Sequence, residues 1–284
     1  MIRFESGAGG LTRAVITTPD AEAHVYLHGA HVTHYQPTGQ SPVLFMSRAS
    51  HFAPDKPIRG GIPVIFPWFG PRAGDASAPA HGFARTLDWS LVETKPIGSA
   101  VGLTLALQSS EATRRWFPHD FELRYVITVG ATLEVSLEVR NRSTTNFTFE
   151  EALHTYLSVS DVRAARIVGL DSRTFIDKTA SAARTQQSGP IRIERETDRV
   201  YLDTLDEVTV HDPGRQIIVR KTGSRTTVVW NPWIAKAKAM ADFGDDEWPA
   251  MLCIETANAA DNAVTLAAGQ SHVMSASVHV LSDS

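Results

Sequence analysis

The sequence predicts an all-β protein, a large antiparallel β-sandwich with few short helices, and three observations carry that prediction. Apolar and polar residues alternate with period two from one end of the 284-residue chain to the other. Helical periodicity is confined to two short stretches, and turn residues separate the apolar runs at short spacing.

The cleanest alternation covers residues 132–140, where Leu133, Val135, Leu137 and Val139 fall on one face and Glu134, Ser136, Glu138 and Arg140 on the other. That is a half-buried antiparallel strand. Residues 121–129 repeat the pattern, and only Gly130-Ala131 intervenes, so the two runs predict a hairpin. In chain order, further strands are expected at 14–17, 23–27, 31–35, 88–93, 100–108, 147–156, 166–168, 207–211, 216–221, 226–230, 251–256 and 272–281. Short helices are expected at 110–116 and 234–241, and the polar, aperiodic stretch 177–198 reads as a surface excursion. No repeat, low-complexity tract or linker divides the chain, which predicts one domain over residues 1–284.

Composition narrows the function classes. With 27 Lys+Arg against 31 Asp+Glu, there is no broad basic surface for nucleic acid or an anionic membrane, so any anion must be met by local cations. The one cysteine, Cys253, precludes an internal disulfide and, between Leu252 and Ile254, reads as a buried thiol. The N-terminus lacks an apolar leader core, and no stretch reaches the roughly 20 apolar residues of a membrane span. A cytoplasmic monomer is the expectation, in which the sequons at Asn141 and Asn146 carry no weight.

The most unusual stretch is 58–85, where Pro63, Pro67, Pro71 and Pro79 fix φ while Gly60, Gly61, Gly70 and Gly82 free it. Large rings stand between them, so the stretch predicts a rigid, half-buried loop presenting Arg59, His81 and Arg85. His154 alternates with Ala152 and Tyr156 on one face of an expected strand, and is either a satisfied core histidine or a working group. Glu255 ends the apolar run Met251-Leu252-Cys253-Ile254, where desolvation would raise its pKa toward that of a general base unless an arginine pairs it. Asp198 is either a turn cap or a substrate contact, and Trp230 and Trp233 are either core or an aromatic floor for a sugar. Lys236 and Lys238 are expected to be solvated. His24, His28, His31 and His34 crowd together, but Gly29 breaks any helix that would align them and no Cys or carboxylate completes a zinc set. Phosphate loops and nucleophile elbows are missing from the sequence.

Taken in order, Arg59-Gly-Gly-Ile-Pro-Val-Ile-Phe-Pro-Trp-Phe-Gly70, His81-Gly-Phe-Ala-Arg85, His154, Thr197-Asp198-Arg199-Val-Tyr201, Trp230-Asn-Pro-Trp233 and Cys253-Ile-Glu255 resemble the hexose-6-phosphate mutarotase (glucose-6-phosphate 1-epimerase) family of the galactose-mutarotase-like superfamily. The resemblance runs from about His28 to Val278. It implies a one-domain supersandwich that opens and recloses the pyranose ring of an aldohexose 6-phosphate without metal or organic cofactor. It further implies His154 as the acid toward the ring oxygen and Glu255 as the base toward the anomeric hydroxyl. The resemblance also implies Arg59 and Arg85 as substrate-binding positions, for the phosphate, with His81 and Asp198 contacting sugar hydroxyls. Some relatives carry glutamine where this chain has Ala80.

Three other readings compete. They are an aldose 1-epimerase acting on neutral sugars, a non-catalytic carbohydrate-binding sandwich, and a metal enzyme built on His24, His28 or His34 with His81. A buried Glu255 facing His154 would count against a mere binder.

Overall fold

The computed structural model describes residues 1–282. Two eight-stranded sheets dominate it. The first runs Ala183–Gln186, Thr174–Asp177, Thr197–Tyr201, Thr226–Asn231, Met251–Asn258, Glu151–Leu153 and Val64–Ile65, with Tyr156–Ser158 also paired to Met251–Asn258. The second runs Arg166–Val168, Val208–Asp212, Arg215–Thr222, Ser271–Ser282, Leu133–Asn141, Phe121–Val129, Ala100–Gln108 and Ser90–Ile97. A four-stranded meander, Ile2–Ser6 through His31–Pro37, and the pair Phe147–Phe149 with Val264–Leu266 complete the sheets. Every ladder is antiparallel, as the all-β expectation requires.

The hairpin forms in the expected register, with Phe121 opposite Asn141 and Val129 opposite Leu133. Its alternation separates a core face from a wet face. In the first sheet, Met251–Asn258 and Thr226–Asn231 are buried along their whole lengths. One face packs toward the second sheet, where Asn258 reaches Met274, and the other lies under a cavity. This double burial explains why Met251–Ile254 reads as a continuous apolar run.

Four expectations change. Residues 147–156 do not form one strand. Phe147–Phe149 leaves for its own two-stranded sheet, Glu151–Leu153 joins the first large sheet, and His154-Thr155 interrupts the ladder before Tyr156–Ser158. Residues 177–198 are not a structureless excursion, because Ala183–Gln186 folds back on Thr174–Asp177 and Thr197–Tyr201 closes the other side. The strand Ala183–Gln186 is exposed throughout, so it has no apolar face to advertise it in sequence. The edge strand begins at Ser90, not Asp88, whose carboxylate holds His28 at 3.1 Å. The helices are shorter than expected, Glu111–Arg114 and Trp233–Ala239, the former started by a capping box between Ser110 and Thr113. No helix is long and apolar enough to cross a membrane among the described residues.

A pair between a buried carboxyl and a half-buried imidazole ties the two large sheets together. Glu151 Oε1, on the first, lies 3.0 Å from His272 Nε2, on the second, and accepts from Asn258 Nδ2 at 2.8 Å. Burial raises the Glu151 pKa, and the hydrogen bond to Glu151 raises that of His272. Because the folded pKa of His272 lies above its unfolded value, its stabilisation is complete below about pH 6.5 and fades as pH rises through the raised value. His272→Ala at pH 7 leaves the buried Glu151 with Asn258 but without its imidazole partner and is expected to cost about 2 kcal/mol in denaturant unfolding. In Glu151→Gln the His272 imidazole, followed by NMR, is expected to titrate back near its ordinary value.

Candidate active site

The site begins with the interruption at His154. The register is continuous on either side of it, Leu153 opposite Thr256 and Tyr156 opposite Cys253, so His154 falls opposite Glu255. Only the ladder with Met251–Asn258 is broken there, because the Thr155 N–H turns back to donate to Leu153 O at 2.9 Å, while the His154 N–H continues the pairing with Val64–Ile65 by donating to Pro63 O at 3.1 Å. Breaks of this kind re-aim a side chain beside a site. His154 Nε2 consequently lies 3.3 Å from Glu255 Oε1, with both side chains almost fully buried.

The floor is a row across four strands. Asp198 pairs with Trp230, Trp230 with Cys253, and Cys253 with Tyr156, all on the face that carries His154 and Glu255. The Tyr156 ring stacks on the His154 imidazole at 4.7 Å and 12°, and Trp230 meets the same imidazole edge-on at 6.0 Å. These rings fix the imidazole plane. Cys253 lies fully buried among them.

The loop 58–85 forms the wall. His31, fully buried, donates from Nε2 to Gly60 O at 2.7 Å, and burial pushes its pKa down to about 3, so it is neutral. Gly61 adopts φ +60, and a Cβ there would stand 2.2 Å from Val32 O, so no other residue lets the wall approach the meander this closely. Arg59 leaves this turn to donate to Tyr156 Oη at 2.9 Å and to Asp242 Oδ2 at 3.0 Å. Arg85, from the short helical turn Ala84–Thr86, donates to Ala80 O at 2.7 Å. Burial, with Arg59 nearby, lowers the pKa of Arg85 to about 10. The Nε groups of both arginines are buried without a partner, so each guanidinium keeps a donor free.

His81 holds a left-handed backbone at φ 63, stabilised by two bonds with one residue. Its N–H donates to Gly70 O at 2.7 Å, and the Gly70 N–H donates to its Nδ1 at 3.2 Å. The proton of the neutral ring therefore sits on Nε2, the nitrogen left for the cavity. That cavity, about 330 Å³, is lined by Arg59, His81, Arg85, His154, Asp198 and Glu255 together with Lys178, Lys236 and Trp230.

All six residues singled out in the sequence thus converge on one cavity. Lys178, Tyr156 and Asp242 were missed. Tyr156 shares the parity of His154, a signal the sequence does contain, whereas Lys178 and Asp242 sit in segments without periodicity. Lys236, expected to be solvated, lines the cavity and pairs Glu196 at 3.1 Å. Trp233 turns away to Trp248 at 4.2 Å. The histidine cluster does not reach His81: His24 packs on His34, and His28 binds Asp88 and Lys56 O.

The electrostatics follow from burial. Desolvation, then the charges of Arg85 and Arg59, hold His154 well below its usual range. Desolvation and the Asp198 charge hold Glu255 well above the carboxylate range. Such a coupled pair carries one mobile proton between its two members. The rim is cationic: among the described residues neither Arg85 nor Lys178 has a carboxylate at ion-pair distance, and Lys178 Nζ lies 4.7 Å over the Phe69 ring. The arrangement can pass protons within the cavity and hold an anion at its rim.

Comparison with known proteins places this geometry in context. The family model described as aldose 1-epimerase matches residues 13–279. An assigned glucose-6-phosphate 1-epimerase of Salmonella typhimurium is 38% identical over 245 residues, covering 85% of this chain and 81% of that protein. Another with the same assigned name, from Cenchrus ciliaris, is 36% identical over 260 residues, covering 87% and 78%. The solved structure of an assigned mutarotase, YeaD of Salmonella typhimurium, superposes with a TM-score of 0.90 at 34% identity, covering 96% of this chain and 91% of that one.

The buried neutral His31 makes the wall acid-sensitive. Its folded pKa lies below the unfolded value, so the unfolded chain takes up the proton first, and stability falls as pH drops from about 6.5 toward about 3. His31→Gln, which keeps a donor for Gly60 O, is expected to remove up to about 1.4 kcal/mol per pH unit of that slope in denaturation series.

Proposed function

This chain belongs to the aldose 1-epimerase family and is an isomerase of β-sandwich fold, and from that premise we propose that it interconverts the α and β anomers of an aldohexose 6-phosphate, glucose 6-phosphate foremost. The observation that carries the reading is the buried His154 and Glu255 pair, 3.3 Å apart, in a cavity whose rim holds Arg85 and Lys178 without counter-ions. A non-catalytic sugar binder has no use for such a pair.

The reaction needs one proton moved each way. Glu255, as carboxylate, takes the proton from the anomeric hydroxyl while His154, as imidazolium, gives one to the ring oxygen, and the C1–O5 bond breaks to the open-chain aldehyde. Rotation about C1–C2 presents the other carbonyl face, and the two groups reverse their roles to close the ring. The neutral His154 and protonated Glu255 of the empty site hold the same number of protons as the working ion pair, so activation is a transfer inside the pair. Each well-placed proton transfer is worth roughly 10² to 10⁴ in rate. The buried donors of Arg59 and Arg85 and the Lys178 ammonium suit a phosphate dianion far from C1, which orients the sugar without joining the bond making. His81, through Nε2–H, and Asp198 are positioned for sugar hydroxyls.

We further infer one monomeric domain over residues 1–284, working without cofactor, metal or nucleic acid in the cytoplasm, where phosphosugars and an unpaired thiol both persist. His154→Ala and Glu255→Gln are each expected to abolish catalysed anomerisation of freshly dissolved α-glucose 6-phosphate above the spontaneous rate while circular dichroism stays unchanged. Near-normal turnover in either rejects the mechanism. Arg59→Ala and Arg85→Ala are expected to raise KM for glucose 6-phosphate more than they lower kcat. Equal acceleration of glucose and glucose 6-phosphate would favour the general aldose epimerase.

A further inference from the structure

Three potential metal donors of different chemistry converge at the floor of the site, His154 and Glu255 lining the cavity and Cys253 buried just beneath it. Cys253 and Glu255 stand two residues apart on the same face of Met251–Asn258, and His154 faces Glu255 from the neighbouring chain segment. The Cys253 thiol sulfur, one imidazole nitrogen of His154 and one carboxylate oxygen of Glu255 all lie within 4.8 Å of one another. A tetrahedral zinc ion holds sulfur, nitrogen and oxygen donors about 3.5 Å from each other. The His154 and Glu255 atoms already meet that spacing at 3.3 Å, and rotation of the Cys253 side chain would supply the remaining approach.

A second observation points to a ligand. Glu255 is 2% exposed and its Oε2 has no hydrogen-bond partner, so the site contains an unsatisfied carboxyl oxygen next to the convergence point. Buried polar atoms without partners are uncommon and mark places where a group is to be received. The combination of thiol, imidazole and carboxylate selects borderline-soft divalent ions over magnesium or calcium. Three protein donors leave the fourth tetrahedral position toward the cavity for water.

We propose that His154, Cys253 and Glu255 form an inhibitory site for a zinc-class divalent cation, reached through the substrate cavity. On binding, the thiol proton and the proton resting on Glu255 are both released to solvent, and sulfur, His154 Nε2 and a Glu255 oxygen each donate an electron pair to the ion with no change of oxidation state. The lone pair and the carboxylate that would move protons are then engaged, so occupancy and turnover exclude each other. That last consequence rests on the proposed epimerase reading; the existence of the site does not.

The test uses the full chain stripped with EDTA. Calorimetric titration with Zn²⁺ is expected to give one tight site, and Co²⁺ to give a thiolate-to-metal charge-transfer band in the near ultraviolet. Cys253→Ala should lose that band and bind zinc more weakly by at least the roughly tenfold to hundredfold that outer-shell partners alone are worth. Anomerisation of glucose 6-phosphate by the wild type should stop with zinc and return with EDTA, while Cys253→Ala, whatever its own basal rate, should lose a much smaller fraction of that rate at the same zinc concentration. The adjacent, mutually tilted pair His24 and His34 is the competing surface site, so the double variant His24→Ala/His34→Ala should keep the band and the tight site. Unchanged zinc affinity in Cys253→Ala, cobalt binding without the band, or loss of the tight site in the double variant each overturns the proposal. A band with no basal epimerase activity would sustain the site and sink the functional reading.

Discussion

The whole site depends on backbone hydrogen bonds that carry the pairing of one short strand into the proline and glycine loop. The His154 N–H donates to Pro63 O and the Tyr156 N–H to Gly61 O, extending the register of Glu151–Leu153 with Val64–Ile65, while the residues on either side of His154-Thr155 stay in register with Met251–Asn258. That extension joins the rigid loop to the central strand. It sets the imidazole against Glu255 and brings the wall carrying Arg59, His81 and Arg85 over the floor carrying Asp198 and Trp230. Without these bonds the wall would be unanchored.

The price of this arrangement is electrostatic. An acid and a base, both almost wholly buried, would each be disfavoured if charged alone, and burial moves their proton affinities in opposite directions, the histidine down and the glutamate up. Because the two share one proton, the empty site can rest as a neutral pair and the reacting site can be an ion pair. The cations of the rim tune this balance. Arg85 and Arg59 disfavour the imidazolium, and Asp198 disfavours the carboxylate, so an arriving anion that engages the arginines would ease charge separation in the pair.

Support around the site is built from fixed, neutral or paired groups. His31 is held neutral under Gly60 O, and Asp242 anchors Arg59. Glu247, which binds Ser47 Oγ, Arg48 and the Gly244 N–H, pins the turn that follows Asp242. Glu151 with His272 ties the sheets behind the floor. Rigidity of this kind keeps donors aimed without reorganisation when charge moves.

The sequence alone determined the fold class, the hairpin 121–140 and the six residues that meet in the cavity, because half-buried strands alternate visibly and a proline-rich loop full of rings is costly unless it binds something. Parity even placed Tyr156 beside His154, although its stacking role was not read. Tertiary structure decided what depends on chain segments far apart. The split of 147–156 arises where the Thr155 N–H turns back to Leu153 O and where Phe147–Phe149 pairs with Val264–Leu266, neither of which leaves a local signal. The hairpin inside 177–198 uses an exposed strand with no apolar face, so periodicity could not reveal it, nor could it bring Lys178 to the rim. Asp242 acquires its role only by meeting Arg59 across 183 positions of chain, and alternation reports which way a residue faces, not what it meets.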